Sequence, residues 1–408
     1  MIHAAWARLC GATTASSLAA ALLSLGVPVP SFAHDGPHDD AASVIDSRRK
    51  QADPRLANAR AELLARAEAE LARGDAPAAS DTFERAAMML HAADTEMGLV
   101  RSYMQAGQYA RALAFCAHTA GVHREAPAAG ALYAWLLRAG GQGGFAERTL
   151  LQSLERAPSD AVLRATQRAF ANALPVATPE LLQTPQRMAP QAVMLGGQAD
   201  VPAAARTYGS AVLAGRGEVA LVPLATLRDA AQAGVWVRNG LGQTTRARVQ
   251  PNAELRAMGL AMLRLEAPLD AGDALQSAPR EPFAGSPGFA VQYAPQQDAT
   301  AAWPWLTLGF FGAMPLQDNA RRLGIDLAGG PFGGPVFDAQ GRLTGMALPG
   351  PGGVALLVPA NRWQGTLAAL PAPFAMATAS ARAAPNEQVY ESALRVALQV
   401  IALPGTAR

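Results

Sequence analysis

The sequence predicts a multidomain chain in which an N-terminal α-helical repeat array is followed by an all-β domain built as a double barrel. Three observations carry that prediction. Gly74, Gly107 and Gly141 recur 33 and 34 residues apart within a region rich in Ala, Leu, Arg and Glu. From Thr207 onward, apolar runs of four to eight residues alternate with Gly, Pro and Asp turns. Near the end of that region, Gly329 to Ala347 reads as a Gly-rich tight loop, a short apolar strand, a turn at Asp338 and Gly341, and a second strand.

Composition sets the bounds. The 408 residues allow two or three domains, and a chain that is 50% hydrophobic and 16% charged can bury a sizeable core. A net charge of +2 is too small to argue for nucleic acid or an anionic membrane surface. Basic charge is almost all Arg, and Lys50 is the only lysine. Residues 1–33 have the features of a secretory signal. Arg8 supplies the basic n-region, Thr13 to Val27 the apolar h-region, and Ser31-Phe32-Ala33 the cleavage site. The apolar run is short for a membrane span, with a retained N-terminal anchor as the alternative. Cys10 lies too early for a lipoprotein cysteine. The expected mature chain starts near His34, is periplasmic or secreted, and is not stably inserted in a membrane. It then holds only Cys116, which rules out an internal disulfide.

Residues 34–53 read as a flexible tail. A leading His34 with its α-amine, His38 and nearby carboxylates are possible copper or zinc ligands, but the Pro, Gly and Asp around them hold nothing in place. The helical array is expected over 54–171. Ala79, Ala112 and Ala146 follow the three glycines by five residues, and Phe83, Cys116 and Leu150 follow them by nine. The glycine ends one helix and the small alanine lets the next helix pack closely on it. Pro158 closes the third unit, and Tyr103 precedes Gly107 by four. This pattern resembles the tetratricopeptide repeat (TPR), whose arrays commonly hold a peptide or protein segment on a concave face. A plain helical bundle is the competing reading. His91, His118 and His123 form no i, i+4 pair and no H-E-x-x-H, so they are expected to be exposed or to lie between repeats rather than to bind a metal. No cofactor is expected.

Pro175, Pro179, Pro185, Pro190 and Pro202 mark 172–206 as a linker partly wrapped on the next domain. The β domain is expected over 207–367. Its strands are read at Ser210–Leu213, Glu218–Val222, Gly234–Val237, Met258–Leu265, Phe289–Tyr293, Trp305–Phe311, Val336–Phe337, Arg342–Leu348 and Val354–Val358. A dozen or so short strands in this length suit two small barrels.

Within it, Gly330-Pro331-Phe332-Gly333-Gly334-Pro335 resembles the G-x-S-G-G-P nucleophile loop of the trypsin-like serine proteases, the HtrA type in particular. Further segments follow in that family's order. Gly217 to Thr226 stands at the histidine segment, Gly259 to Leu265 at the aspartate segment, and Gly353 to Asn361 at the closing strand. The resemblance implies a trypsin-like double barrel and assigns Leu224, Gly259 and Phe332 to the positions of the family's histidine, aspartate and serine. A serine protease needs a nucleophile, a base and a group orienting the base. No histidine follows His123 and no lysine follows Lys50, so Ser210, Ser277 and Ser286 are left without a base. The loop at Gly330, Phe332 and Gly333 is a candidate vestigial oxyanion loop, whose N–H groups could keep their geometry. Phe332 either fills the vacant cleft, closing it or offering an apolar contact, or packs there only to stabilise the fold.

Residues 368–408 are expected to be a loose segment followed by a helix over Asn386 to Leu403. Tyr390, Leu394, Leu398 and Ile401 would lie along one face of that helix, docked on the body or on a partner. HtrA-type proteases usually carry a PDZ module at this point, and this stretch is too short for one. The expected role is an exported pseudoprotease that binds a protein or peptide in the cell envelope. An active peptidase with an unrecognised site is the first alternative, and a β-domain spacer with all binding through the helices is the second.

Overall fold

A computed structural model describes residues 54–171, 193–194, 201–228, 230–272, 276–313, 321–327, 330, 332–367, 375–376 and 382–405. The expected signal, the tail with its histidines, and most of the linker lie outside these residues. Residues 50–408 cluster as one unit.

Seven helices come first: α1 (Pro54–Ala72), α2 (Ala76–Met89), α3 (Ala93–Gln105), α4 (Tyr109–Val122), α5 (Pro127–Ala139), α6 (Gly143–Arg156) and α7 (Ala161–Phe170). Successive helices pack on one another, in three hairpins followed by α7. The repeated glycines explain the hairpins. Gly74, Gly107 and Gly141 take φ of 81°, 74° and 82°. At each one the next residue's N–H reaches back five residues: Asp75 to Glu70 O (3.0 Å), Gln108 to Tyr103 O (2.8 Å) and Gln142 to Leu137 O (2.8 Å). This is a Schellman ending, which needs a left-handed residue and so favours glycine. Ala79, Ala112 and Ala146 are all fully buried, as are Phe83 and Cys116, with Leu150 nearly so. Asp75 and Asp160 cap α2 and α7 by accepting from Ala78 N (3.2 Å) and Leu163 N (2.9 Å). Among the described residues, no helix is long and apolar enough to cross a membrane.

Two six-stranded antiparallel barrels follow. The first uses β2 (Arg206–Ala214), β3 (Val219–Pro223), β4 (Ala230–Asn239), β5 (Gln243–Gln250), β6 (Leu260–Leu265) and β15 (Ala397–Pro404). Its ring runs β2-β3-β6-β5-β4-β15 and back to β2. The second uses β8 (Pro287–Gln292), β9 (Trp305–Phe311), β10 (Arg321–Gly324), β11 (Pro335–Asp338), β12 (Leu343–Pro349) and β13 (Ala355–Pro359). Its ring runs β8-β9-β10-β13-β12-β11 and back to β8. Three two-residue strands are accessory. β1 (Val193–Met194) pairs with β5, while β7 (Gln276–Ser277) and β14 (Ala375–Met376) extend the second sheet beside β12. The short helices α8 (Ala253–Ala257) and α9 (Ala360–Leu367) precede β6 and follow β13. The double barrel of the expected fold class is therefore present.

The C-terminal reading needs correction. The helix α10 (Asn386–Val396) stops seven residues before the expected end at Leu403, and the chain continues as strand β15. Leu398 and Ile401 therefore belong to a strand, not to a helix face. Leu398 pairs with Ala211 of β2 on one side and with Asn239 of β4 on the other. Without β15, β2 and β4 would face each other across a missing strand, and two unsatisfied ladders outweigh a helical spacing of leucines. The β domain consequently spans more than 207–367, because its first barrel is closed by the end of the chain. The linker, too, gives up Val193–Met194 and Arg206 to barrel strands.

The helix α10 also fastens the array to the barrels. Tyr390 is fully buried, its ring 4.4 Å from that of Tyr109 of α4, and its hydroxyl donates to Pro304 O (2.8 Å). Arg395 donates to Ala106 O at the end of α3 (3.0 Å) and pairs with Asp270. Trp135 of α5 lies 5.7 Å from Trp305 of β9. One hydrophobic core accordingly runs from the helices through α10 into the first barrel and on to Val291, Phe337 and Met346 of the second, while Phe311, Leu323, Val336 and Leu357 belong to a separate, smaller core inside the second.

The turn read at Asp338 and Gly341 is a tight hairpin. Asp338 is buried, and its Oδ1 accepts from Gln340 N and Arg342 N, both at 2.9 Å, while Oδ2 accepts from Arg342 Nε (2.7 Å). Gly341 takes φ of 75° and donates to Asp338 O (2.9 Å). Replacing Asp338 by Ala strands two backbone donors and a half-covered guanidinium. The expected loss is about 3 kcal/mol, read as a lower urea midpoint with unchanged slope. Asp338→Asn keeps one set of acceptors and is expected to lose about half as much.

Candidate functional site

The three positions assigned to the family's triad meet where the two barrels face each other. Leu224 opens a single 3-10 turn, Leu224–Leu227, immediately after β3. Its N–H donates to Gly259 O (2.9 Å). Gly259 lies between α8 and β6 with φ of 76°. The first two positions are thus directly bonded. Phe332 comes from the loop before β11, and its carbonyl accepts from Ser210 N of β2 (2.7 Å). Gly333 then presses against the backbone. A Cβ there would lie 2.5 Å from Ser210 O and 2.8 Å from Pro223, the residue before Leu224. With φ of 88°, that position excludes any other residue twice over.

Among the described residues at the junction, no nucleophile–base pair is present. Leu224 and Phe332 are half-buried, and Gly259 has no side chain. Ser210 is buried, with Oγ accepting from Tyr293 N (2.6 Å) and facing Tyr293 O (3.2 Å), so it ties β2 to the second barrel. Ser277 is buried and accepts from the Gln364 amide.

The candidate oxyanion loop is closed on itself. Gly330 N donates to Leu327 O (2.9 Å), and Phe332 N donates to Gln292 Oε1 (3.2 Å). The same carboxamide donates from Nε2 to Gly330 O (3.3 Å). Gln292 ends β8 and is almost fully buried. Its amide sits across the loop, bonded to both Gly330 and Phe332. Both N–H groups of the candidate loop thus already have partners within the protein. Sequence reasoning missed Gln292, which stands forty residues before Phe332 and carries no motif.

Beside Leu224 lies a cleft of about 430 Å³. Leu224, Leu227, Val249 and Leu260 give it apolar walls, and the exposed Arg228 and Arg256 also line it. It lies on the first barrel and includes no part of the Phe332 loop.

Two of the array's histidines come together with a carboxylate. His123, just after α4, is 7% exposed rather than solvent-facing. It comes together with His91, in the connection between α2 and α3, and with Glu96, in the first turns of α3. Only His118 is exposed and apart, stacked on Phe115. Their separations of five and 27 residues follow no motif, so the sequence carried no signal for this grouping.

No protein-family model matches the chain, and no curated protein matches it. Two solved structures illustrate its structural likeness. One is the HtrA-type protease AlgW with decapeptide, at 18% identity and a TM-score of 0.30, covering 38% of this chain and 48% of that one. The other is the MamO protease domain from Magnetospirillum magneticum (apo form), at 18% identity and a TM-score of 0.25, covering 40% of this chain and 94% of that one. The chain spans about half the length of the first. The double barrel rests on the strand order and closure described above.

Proposed function

We propose that this protein is a non-catalytic serine-protease homologue: an exported pseudoprotease with an N-terminal TPR-like array that binds a protein or peptide in the cell envelope. The observation that carries this reading is the closed loop at Gly330 and Phe332. Both N–H groups that would stabilise an oxyanion are bonded internally, one of them to the buried Gln292 amide. The triad-equivalent positions Leu224, Gly259 and Phe332 offer no proton acceptor, and no histidine follows His123. What supports binding is the remaining architecture: a stack of helical hairpins, and on the first barrel a cleft at Leu224 with apolar walls.

A serine-directed fluorophosphonate probe tests the reading. The wild-type chain is expected to stay unlabelled under conditions that label a control protease. Phe332→Ser is also expected to stay unlabelled, since a hydroxyl without a base or a free oxyanion site gains little reactivity. Labelling of the wild-type chain at one serine, lost when that serine is replaced, would favour an active peptidase and refute the proposal.

A further inference from the structure

We propose that His91, Glu96 and His123 form a zinc site between the first two hairpins of the helical array. The three offer two imidazole nitrogens and a carboxylate, with ligand atoms all within 4.8 Å of one another. His2Glu is an established zinc donor set that leaves a fourth position for water or another ligand. Two atoms of the cluster are buried and unpartnered. Glu96 is 4% exposed and its Oε2 has no hydrogen bond, while His123 is 7% exposed and its Nε2 has none. These two orphans face each other at 3.5 Å.

The surroundings explain why they do not simply bond. His123 Nδ1 lies 3.3 Å from Glu125 Oε1. With Nδ1–H donating to that carboxylate, Nε2 presents a lone pair toward a carboxylate oxygen that also carries lone pairs. Two acceptors facing each other in a buried place are relieved by a cation. The carboxylate–histidine pair is the outer arrangement that fixes a metal-binding ring in its productive tautomer.

The remaining geometry suits closure on an ion. His91 Nε2 is 2.5 Å from Glu96 Oε1, on the opposite side of the carboxylate from the orphaned pair. The His91 and His123 rings are 4.8 Å apart at their centroids. Tetrahedral zinc, with bonds of about 2.0–2.1 Å, places its ligand atoms about 3.4 Å apart. His91 is exposed and stands in the short connection between α2 and α3, so its ring can turn to meet that spacing. The same exposure gives the ion a way in. Glu96 and His123 are anchored in α3 and at the end of α4. A bound ion would therefore cross-link His91, at the end of the first hairpin, to both helices of the second.

The test uses the full chain with His3, His34 and His38 replaced by Ala, so that no other histidine cluster competes. After chelator treatment, zinc binding is measured by competition with a chromogenic chelator, and cobalt(II) is added to read its visible absorption. One equivalent of zinc and the intense bands of tetrahedral cobalt are expected. Glu125→Gln should weaken zinc binding about 10- to 100-fold, because it touches only the outer partner of His123. His91→Ala and Glu96→Gln should weaken it more, and His118→Ala should leave it unchanged. His91 is exposed, so its variant should melt like the parent without metal, which separates lost ligation from lost folding. The proposal is overturned if the parent binds no zinc, or if His91→Ala binds it as tightly as the parent. It is independent of whether the β domain is catalytic.

Discussion

Truncation after Val396, which removes β15, is expected to abolish cooperative folding of the chain. Six consecutive residues of this strand, Ala397 to Ala402, are fully buried. Leu398, Val400 and Ile401 each contribute about 1.5–3 kcal/mol of burial, together about 5–9 kcal/mol. A domain's whole stability is about 5–15 kcal/mol, so this loss alone is of the same size. The truncation also leaves β2 and β4 with bare edges inside what was a closed barrel, and Gln399 no longer donates to Thr300 O (3.0 Å). Near-UV circular dichroism and thermal unfolding read the outcome. A truncated chain with a sharp transition within a few degrees of the parent would show that β15 only decorates the barrel. Addition of a synthetic 397–408 peptide is expected to restore part of the near-UV signal, since the gap it fills is flanked by two strands that fix its register.

That strand also shows where the sequence was readable and where it was not. The helical hairpins were legible because each hairpin turn needs a left-handed residue, so glycine marks Gly74, Gly107 and Gly141 in the chain itself. Trp305–Phe311 was read with its true ends, and most other strands to within a few residues, because short apolar runs between glycines and prolines have few other fates. Of the barrel strands, β5 and β10 were not among those read, and β5 shows why. Its outward Arg246 and Arg248 alternate with Thr245, Ala247 and Val249, and half of a solvent-facing strand is polar by design. In β15 the spacing of Leu394, Leu398 and Ile401 fits a helix, and only the vacancy between β2 and β4 decides otherwise. The candidate site divides in the same way. The positions read from the order of segments, Leu224, Gly259 and Phe332, lie near one junction through backbone hydrogen bonds and close approaches. The Gln292 amide that fills the loop, and the meeting of His91, Glu96 and His123, are consequences of tertiary packing and leave no trace in local spacing.

Stability is expected to fall steeply above about pH 10, the ordinary phenol value, and the cause is a set of buried tyrosines. Tyr109, Tyr293 and Tyr390 are essentially inaccessible, and burial pushes each phenol above its ordinary value. Each hydroxyl donates to a carbonyl: Tyr109 to Leu136 O (2.9 Å), Tyr293 to Ala397 O (3.4 Å) and Tyr390 to Pro304 O (2.8 Å). A carbonyl partner favours the protonated form, so these bonds act in the same direction as burial. Folded values raised above the unfolded ones mean that the stabilisation is complete below the unfolded phenol value. It is lost as pH rises toward the folded values, because the unfolded chain then releases protons that the folded chain retains. Three such groups give a slope of about −4 kcal/mol per pH unit once the unfolded phenols are ionised. The buried Tyr103 and the half-buried Tyr133, also raised by burial, act in the same direction. Lysine titration does not blur the effect, because Lys50 is the only lysine. Tyr390→Phe separates the parts. At neutral pH it is expected to lose about 1–2 kcal/mol, because Pro304 O is left without its donor. Above pH 10 its slope should be shallower than the parent's by about a third, so the two stability curves converge as pH rises. Urea unfolding at pH 7, 10 and 11 measures both quantities, and a parent curve that stays flat from pH 10 to 11 would rule out the buried phenols as the source. Tyr390→Ala removes the ring that joins α10 to α4 as well, and is expected to cost about 3–5 kcal/mol at any pH where the parent is folded.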